Sequence, residues 1–269
     1  MSASEHTGVF RMSRGTCAVL VNVPHAGTSI AASLADRFSP HAADLPDTDW
    51  HVDRLYEFVG ELGVGLMRAV HSRYVIDLNR PPGDEALYST RGTGLVPIET
   101  FAGQAVYRAG ATPGADEVQE RIKTWWQPYH AALQAELDRL RDQHGHAILL
   151  DAHSIRSEVP ALFNGRLPVL NLGCNGGLSA GQGLIDACVS VLRSDPRWDL
   201  VVDGRFKGGY ITRHYGRPHQ QVHALQLEMA QRAYMDEASR AATPASMRDI
   251  RGLLQRLVSA LAKWRPDSA

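Results

Sequence analysis

No apolar run in this sequence is long enough to cross a membrane. A membrane-spanning helix needs roughly 18 consecutive apolar residues, whereas the most apolar runs here are short segments such as CAVLVNV and AILL. The first residues, MSASEHTGVFRMSRGT, also lack the apolar stretch of a signal peptide. We therefore expect a cytoplasmic protein that has no membrane partner.

Cysteine pairs and an excess of one charge are missing as well. The three cysteines, Cys17, Cys174 and Cys188, have no C-x-x-C spacing and are predicted to be small buried side chains in a reducing compartment. The 28 basic and 29 acidic residues give a net charge of −1, which is too small to attract nucleic acid non-specifically. We expect no nucleic-acid partner, and the oligomeric state stays open.

What the chain does have is an ordinary globular composition with many histidines. Apolar residues make up 44% and charged residues 21%, which suits a folded core. No repeat or long linker divides the chain, so a single domain is predicted over residues 1–269. The twelve histidines are the unusual feature, and they direct the search for a functional site.

Short β-rich runs alternate with segments of helical period. Predicted strands cover residues 17–23, 73–79, 146–152, 169–173 and 200–203, and the alternating run VHALQLEM begins at Val222. Predicted helices cover residues 49–62, 115–144 (kinked or divided at Pro128) and 245–263. This order is typical of an α/β protein whose sheet is largely parallel and covered by helices on both faces. Three long polar loops, 80–114, 154–166 and 204–222, are candidates for function.

Two of the predicted strands lead into histidines. His25 follows the first predicted strand. Asp151 and His153 lie at the end of the third predicted strand, and because they are two residues apart they share one of its faces. Open α/β sheets bind ligands at the carboxyl ends of their strands. The pair of histidines therefore suggests a shared metal site, although a single buried histidine is more often structural.

A carboxylate should complete such a site, and Asp49 in DTDWHVDRL is the preferred residue. Asp47 and Asp49 could instead cap the helix that follows and interact with its dipole. Asp151 is a third candidate, or it could be a carboxylate that orients a ligating imidazole. Spacing alone leaves these alternatives open.

Two arginines lie in or beside the segment RYVIDLNRP. As a strand, this segment would place Arg73, Asp77 and Asn79 on one face, with Arg80 at its end. Arginine binds a carboxylate through two parallel hydrogen bonds, and near a metal it can also polarise a carbonyl group. A structural ion pair is the alternative for either arginine.

Glu228 is the candidate for proton transfer. In VHALQLEM the alternation places it on the same face as Gln226, and a glutamate late in a half-buried strand needs a partner. Beside a metal-activated water it could act as general base and then as general acid. A salt bridge is the simpler alternative.

The glycine-containing loop GRFKGGYITRHYGRP carries many cationic and aromatic side chains. They are Lys207, Tyr210, Arg213, His214, Tyr215 and Arg217. This composition favours a loop that closes over an anion, with a solvated basic loop as the alternative.

Taken in order, these motifs resemble one family. The segments concerned are PHAGT, PDTDWHVDRLY, SRYVIDLNRP, LLDAHSIRS, NGRLP with NLG, GRFKGGYITRHYG and VHALQLE. Together they are similar to the N-formylglutamate amidohydrolases (N-formylglutamate deformylases) of histidine degradation. The similarity runs from about residue 17 to residue 236. It implies hydrolysis of N-formyl-L-glutamate to formate and L-glutamate. It also implies a three-layer α/β/α sandwich with a mixed, largely parallel sheet that is zinc-carboxypeptidase-like (phosphorylase/hydrolase-like).

The more distant zinc carboxypeptidases and aspartoacylases hold zinc through H-x-x-E and a later His, and add an Asn-Arg pair and a catalytic Glu. Here His25 matches the first ligand and His153 the later one, while the Asn-Arg pair and the catalytic Glu match Asn79, Arg80 and Glu228. The position three residues after His25 is Thr28, so the carboxylate must come from elsewhere in the chain. Asp49 inherits that role, with Asp47 behind it.

The residues and the resemblance together imply a complete site. The expected ligands of Zn²⁺, or of another divalent transition metal, are His25, Asp49 and His153. The expected catalytic residues are Glu228 and Arg73. The expected substrate-binding residues are Asn79, Arg80, Arg213, Tyr215 and Lys207, with Arg80 and Arg213 on the two substrate carboxylates. Two alternatives stay open: an amidase for another N-acyl amino acid or a cell-wall amide, and a metal-free protein that binds acidic metabolites.

Overall fold

The computed structural model describes residues 4–83 and 94–266. Within these residues, eight strands form one sheet. In chain order they are β1 (Ser4–His6), β2 (Phe10–Ser13), β3 (Val19–Val23), β4 (Gly65–Ala69), β5 (Ala147–Ile155), β6 (Leu170–Gly173), β7 (Leu200–Val202) and β8 (Val222–Ala230). Across the sheet the order is β1-β2-β4-β3-β5-β8-β6-β7.

The centre of the sheet is parallel and its margins are mixed. The strands β4, β3, β5 and β8 run in one direction, whereas β2 is antiparallel to β4 and β6 is antiparallel to β8. At the outer edges, β1 is antiparallel to β2 and β7 is parallel to β6. The predicted mixed, largely parallel sheet is confirmed.

Helices cover both faces of this sheet. The helices described are α1 (Ala32–Ala35), α2 (Val52–Leu55), α3 (Ala115–Arg121), α4 (Gln127–His144), α5 (Gln182–Arg193), α6 (Tyr210–Tyr215) and α7 (Pro244–Lys263). On one face α5 and α7 pack together against the sheet, and on the other face α4 and α6 do so. Each strand in the centre of the sheet is therefore buried on both sides, which explains its continuous apolar run. The predicted three-layer α/β/α sandwich is confirmed.

The two longest predicted helices are present. A stripe of apolar residues that includes Ile250, Leu254 and Leu257 lies along α7 and is buried, as the spacing predicts. The predicted run over residues 115–144 is helical throughout but contains a π-helical turn, Ile122–Trp126, between α3 and α4. No helix in these described segments is both long and apolar enough to cross a membrane.

Two predictions of secondary structure are wrong, and both concern segments that carry candidate site residues. Residues 73–79 form turns and irregular backbone rather than a strand, because other parts of the chain bind their carbonyl groups. The predicted helix over residues 49–62 is only α2 followed by a 3₁₀-helix, Glu57–Leu62, since His51 has left-handed backbone dihedrals that break the first turn.

Other parts of the chain were under-predicted. The short strands β1, β2 and β4 were not anticipated, and the predicted loop at residues 204–222 contains α6. Of the predicted loop at residues 80–114, residues 84–93 lie outside the described part of the chain. That residues 1–269 form a single domain stays a prediction.

Candidate metal centre

The candidate site lies where three parallel strands reach the same edge of the sheet. His25 follows the end of β3, His153 lies near the end of β5 and Glu228 lies near the end of β8. Because β5 and β8 are paired in parallel, His153 and Glu228 are direct neighbours in the register. The carboxyl ends of the strands thus bring together side chains that are more than 200 residues apart in sequence.

Three buried side chains form a group that could hold a metal ion. One ligand atom from each of His25, Asp49 and His153 lies within 4.8 Å of the others. Asp49 Oδ2 is 3.1 Å from His153 Nδ1 and 3.9 Å from His25 Nδ1. All three residues are at most 3% exposed. The group is therefore screened from bulk water, apart from the cavity that opens onto it.

Asp77 fixes the orientation of the His25 ring. Its Oδ1 lies 2.7 Å from His25 Nε2, and its Oδ2 accepts a hydrogen bond from Arg73 at 2.6 Å. Burial opposes ionisation of Asp77, but Arg73 and His25 outweigh it and hold its pKa well below the ordinary value. Since an ionised carboxylate can only accept, His25 must donate from Nε2. Its Nδ1 then carries the lone pair that faces Asp49.

Asp151 does the same for His153. Its Oδ2 lies 2.8 Å from His153 Nε2, and its Oδ1 accepts a hydrogen bond from Asn22 at 2.8 Å. Tyr129 in turn donates to Asn22 at 2.6 Å. This buried chain of hydrogen bonds locks the Asp151 carboxylate against the Nε2 side of the ring and leaves Nδ1 for the site. Carboxylates placed in this way are typical second partners of metal-binding histidines.

The donor set fits a divalent metal. With both rings neutral, Nδ1 of His25, Nδ1 of His153 and the Asp49 carboxylate are all acceptors that point towards one another. Burial lowers the pKa of His25, with Arg73 acting in the same direction. Burial also disfavours charge on His153, but Asp151 and Asp49 outweigh it and raise its pKa well above the ordinary value. These carboxylates favour positive charge at this point, and a metal ion would supply it.

The structure also distinguishes the other two candidate carboxylates, Asp49 and Asp47. Asp49 Oδ2 faces both histidines and also accepts a hydrogen bond from the Ser154 amide at 3.1 Å. Asp47 instead accepts hydrogen bonds from the Tyr74 hydroxyl at 2.6 Å and the Phe101 amide at 2.7 Å. Neither aspartate makes a capping hydrogen bond to α2, whose N-terminus has no side-chain cap.

Glu228 lies beside this group with one carboxylate oxygen held. Gln226 donates to Glu228 Oε2 at 3.1 Å and accepts from the Gly209 amide at 2.7 Å. Burial raises the pKa of Glu228 above its ordinary value, with Asp49 and Asp151 adding to the effect and His153 and Arg73 opposing it. A carboxyl group with a pKa raised towards neutrality can both take up and release a proton.

A cavity opens onto the candidate metal group, and the empty space in it is about 590 Å³ when the part open to solvent is included. Its lining includes the three potential ligands, Glu228 and three arginines, Arg73, Arg80 and Arg205. Its apolar wall is formed by Phe101, Ile155, Leu162 and Phe206. Arginines beside a small polar floor make this a suitable cavity for an anionic molecule.

Asn79 lines the same cavity but is also part of its framework. Its Nδ2 lies 3.2 Å from Asp151 Oδ2, and its Oδ1 accepts a hydrogen bond from the Ile211 amide at 2.8 Å. Gly209 approaches so closely that a Cβ there would fall 2.4 Å from the Asn79 side chain. Only glycine fits at this position, and the contact fixes α6 against the metal group.

Three predicted substrate-binding residues lie elsewhere. Lys207, Arg213 and Tyr215 are not among the described residues that line the cavity. Lys207 is exposed, and the Tyr215 hydroxyl contacts His130 Nδ1 at 2.8 Å. Arg213 donates to the Gly208 carbonyl at 2.8 Å. Their roles in substrate binding stay predictions.

Sequence reasoning missed several residues of this site. The strand patterns place Asp77 and Gln226 only on a face of a strand, and the composition of the loop does not single out Arg205. Asp151 had a usable signal, because it precedes the histidine that it contacts by two residues, whereas Asp77 contacts His25, which lies 52 residues earlier. Arg205 had only a weak signal, since many arginines in loops bind nothing.

The chain is similar to known proteins over nearly its whole length. The family model of N-formylglutamate amidohydrolase matches residues 17–235. An N-formylglutamate deformylase of Pseudomonas aeruginosa is 45% identical over 257 residues, which is 95% of this chain and 97% of that protein. The N-formylglutamate deformylase of Pseudomonas putida is 42% identical over 261 residues, 95% of this chain and 96% of that protein.

A solved structure has the same fold. It is an N-formylglutamate amidohydrolase from Ralstonia eutropha JMP134, with a TM-score of 0.80 at 24% identity. The superposition covers 96% of this chain and 99% of that one. The sandwich described above is therefore shared from end to end.

Proposed function

Because the chain belongs to the N-formylglutamate amidohydrolase family, and is accordingly an amidohydrolase, we propose that it hydrolyses N-formyl-L-glutamate to formate and L-glutamate. In this proposal the reaction is metal-dependent and serves histidine degradation. One observation carries it: the ligand atoms of His25, Asp49 and His153 meet beside Glu228 at the floor of one cavity.

His25, Asp49 and His153 would hold the metal, and Zn²⁺ suits them. Imidazole nitrogen and carboxylate oxygen are common zinc ligands, and catalytic zinc sites usually have three protein ligands. When bound, the metal would polarise the formyl carbonyl and lower the pKa of water. Asp77 and Asp151 keep both imidazoles in the tautomer that this role requires.

Glu228 is the proposed group for proton transfer. Its carboxylate takes a proton from the attacking water and then gives it to the departing glutamate nitrogen as the formyl C–N bond breaks. The side chain thus returns to its starting state after each turnover. Its raised pKa and its hydrogen bond from Gln226 support this assignment.

Arg73 is proposed to stabilise the negative charge that develops on the formyl oxygen. Its hydrogen bond to Asp77 fixes one side of the guanidinium, and the group lies over the Phe101 ring at 4.8 Å from the ring centre. Arg73 is 7% exposed and lines the cavity. A buried, fixed cation stabilises a nearby negative charge more strongly than one in water.

Arg80 and Arg205 are proposed to bind the two carboxylates of the substrate. Both line the cavity, and Arg205 is oriented by its hydrogen bond to the Leu162 carbonyl at 2.7 Å. Guanidinium groups bind carboxylates through paired, charge-assisted hydrogen bonds. N-formyl-L-glutamate, which has two carboxylates, should therefore be preferred over N-formyl-L-glutamine, which has only one.

The test is formate release by the purified protein. N-formyl-L-glutamate is compared with N-formyl-L-glutamine by formate release and with N-acetyl-L-glutamate by release of free L-glutamate, in protein as isolated, after chelation and after Zn²⁺ is restored. Activity on N-formyl-L-glutamate that is lost on chelation and regained with Zn²⁺ is the expected result. No formate from zinc-loaded protein would contradict the proposed substrate.

Glu228→Gln tests the proton-transfer step separately. We expect a loss of roughly 10²- to 10⁴-fold in kcat with the zinc content unchanged. A variant that binds zinc, melts like the parent protein and keeps its turnover would show that another group moves the proton.

A further inference from the structure

The helical run over residues 115–144 changes its register beside the candidate site. Between α3 and α4, the turn Ile122–Trp126 is π-helical, and the Gln127 amide binds the Ile122 carbonyl, five residues earlier. Pro128 follows at once and has no amide hydrogen for a regular α-helical bond. A π-turn inserts one extra residue into a helix, and such turns are frequent at functional sites.

Three side chains of this run donate hydrogen bonds to backbone carbonyls of the segment at residues 72–80. They are Arg121 Nη1 to Val75 O at 2.9 Å, Trp126 Nε1 to Arg80 O at 3.0 Å, and His130 Nε2 to Leu78 O at 2.9 Å. Arg121, Trp126 and His130 are buried, with exposures of 1%, 9% and 5%. One helix therefore holds this segment at three points.

The π-turn is what places these donors on one side. In an uninterrupted α-helix, successive residues are rotated by about 100°, so Trp126 would lie roughly 140° around the helix from Arg121. Trp125, four residues after Arg121, would face the segment instead. In the structure Trp125 packs against His71, with ring centres 5.6 Å apart, and Trp126 takes the inward position.

The segment held in this way carries four groups of the candidate site. Asp77 orients His25, Asn79 contacts Asp151, and Arg73 and Arg80 line the cavity. Residues 72–80 form no sheet ladder, so buried carbonyl groups in them need donors from elsewhere. The donors of the helix satisfy three of these carbonyl groups, and they thereby hold the backbone that carries the side chains of the site.

We propose that the π-turn Ile122–Trp126 is a positioning device for the segment at residues 72–80, and that Trp126 is a positioning residue that acts through Arg80. The indole N–H fixes the Arg80 backbone. It thereby fixes the position from which the Arg80 side chain, proposed to bind a substrate carboxylate, extends. The kinetic part of this inference rests on the proposed function.

Trp126→Phe removes the N–H donor and keeps an aromatic ring against His130, whose ring centre lies 3.8 Å from that of Trp126. One lost hydrogen bond should raise KM for N-formyl-L-glutamate by roughly 3- to 10-fold. Both kcat and zinc content should change by less than about twofold, because neither the ligands nor Glu228 is touched. Trp125→Phe is the matched control, and it should leave KM unchanged.

A double variant tests whether Trp126 acts through Arg80. If it does, Trp126→Phe combined with Arg80→Ala should raise KM no more than Arg80→Ala alone. If the double variant instead raises KM by the product of the two single factors, Trp126 acts independently of Arg80, and the assignment is overturned. Equal KM values for the two single tryptophan variants would overturn it as well.

Hydrogen–deuterium exchange tests the positioning without any substrate. The amides of residues 72–80 should exchange faster in Trp126→Phe than in the parent protein, and at parent rates in Trp125→Phe. Faster exchange of these amides in Trp125→Phe than in Trp126→Phe is the result expected of an uninterrupted α-helix. It would refute the role of the π-turn. If the parent protein releases no formate, the proposed function fails while this measurement still decides the inference.

Discussion

Nε2 of His25 and Oδ1 of Asp77 lie 2.7 Å apart, and this contact decides which nitrogen of His25 faces Asp49. Asp77 also accepts hydrogen bonds from Arg73 and from the Asn79 amide. Three donors around one buried carboxylate keep it ionised, as its depressed pKa indicates. The nitrogen of His25 that faces the candidate metal position is thus set by Asp77, which does not itself face that position.

Asp77→Asn should weaken zinc binding. Asparagine has the shape of aspartate but only one acceptor oxygen and no charge, so it cannot serve His25, Arg73 and the Asn79 amide equally. Losing such a partner typically lowers metal affinity by about 10- to 100-fold. Competition with a chromophoric chelator measures the dissociation constant.

Asp186→Asn is a suitable control for this measurement, because Asp186 is exposed on α5 and binds Gln182. The control should bind zinc like the parent protein. Parent-like affinity in Asp77→Asn would mean that the carboxylate does not set the His25 tautomer.

Asp49→Asn and Asp47→Asn form a second pair of variants. Only Asp49 faces His25 and His153, whereas Asp47 binds Tyr74 and the Phe101 amide. We therefore expect Asp49→Asn to lose bound zinc and activity. Asp47→Asn should keep one zinc per chain but melt at a lower temperature, since a buried acceptor is weakened. Metal analysis after gel filtration distinguishes the two, and loss of zinc from Asp47→Asn alone would reverse the assignment.

The sequence was sufficient for the parts of this site that are local or periodic. Apolar runs located β3 and β5, and the carboxyl ends of these strands then brought His25 and His153 together, while the alternating run VHALQLEM located β8 and Glu228. The choice of Asp49 over Asp47 depends on a turn that brings one of two nearby carboxylates inward. Spacing does not encode that direction.

The segment at residues 72–80 shows why the remainder could not be predicted. Its alternation matches a strand, yet its carbonyl groups bind Arg121, Trp126 and His130, which lie more than 40 residues later in the chain. Those contacts exist only after the helix has packed on the sheet. Tertiary hydrogen bonds here override a local strand preference.

Gln226→Leu should slow turnover without releasing the metal. Gln226 links the Gly209 amide to Glu228 Oε2, so leucine leaves one oxygen of the proposed proton-transfer group without its donor. We expect kcat to fall by about tenfold, equivalent to roughly 1.4 kcal/mol, with zinc content unchanged. Gln182→Leu, at the exposed start of α5, serves as control. An unchanged kcat in Gln226→Leu would show that Glu228 needs no such support.

His130 should make the protein less stable in acid. Burial lowers its pKa from 6.5 to about 3, with the positive charge of His214 acting in the same direction and the hydrogen bond to the Leu78 carbonyl opposing it. Between these two values the unfolded chain binds a proton that the folded chain does not, so stability falls as the pH drops below about 6.5. From pH 7.5 to pH 5.5 this one group should remove about 1.4 kcal/mol of unfolding free energy.

His130→Gln isolates that contribution, because glutamine keeps one donor and one acceptor but does not titrate. Urea unfolding of metal-free protein at the two pH values avoids any effect of zinc release. The variant should be less stable than the parent protein at pH 7.5, since its hydrogen bonds are less well placed. Its further loss on going to pH 5.5 should be smaller than that of the parent by about 1.4 kcal/mol. Equal losses in the two proteins would mean that His130 can take up a proton in the folded state, which its burial opposes.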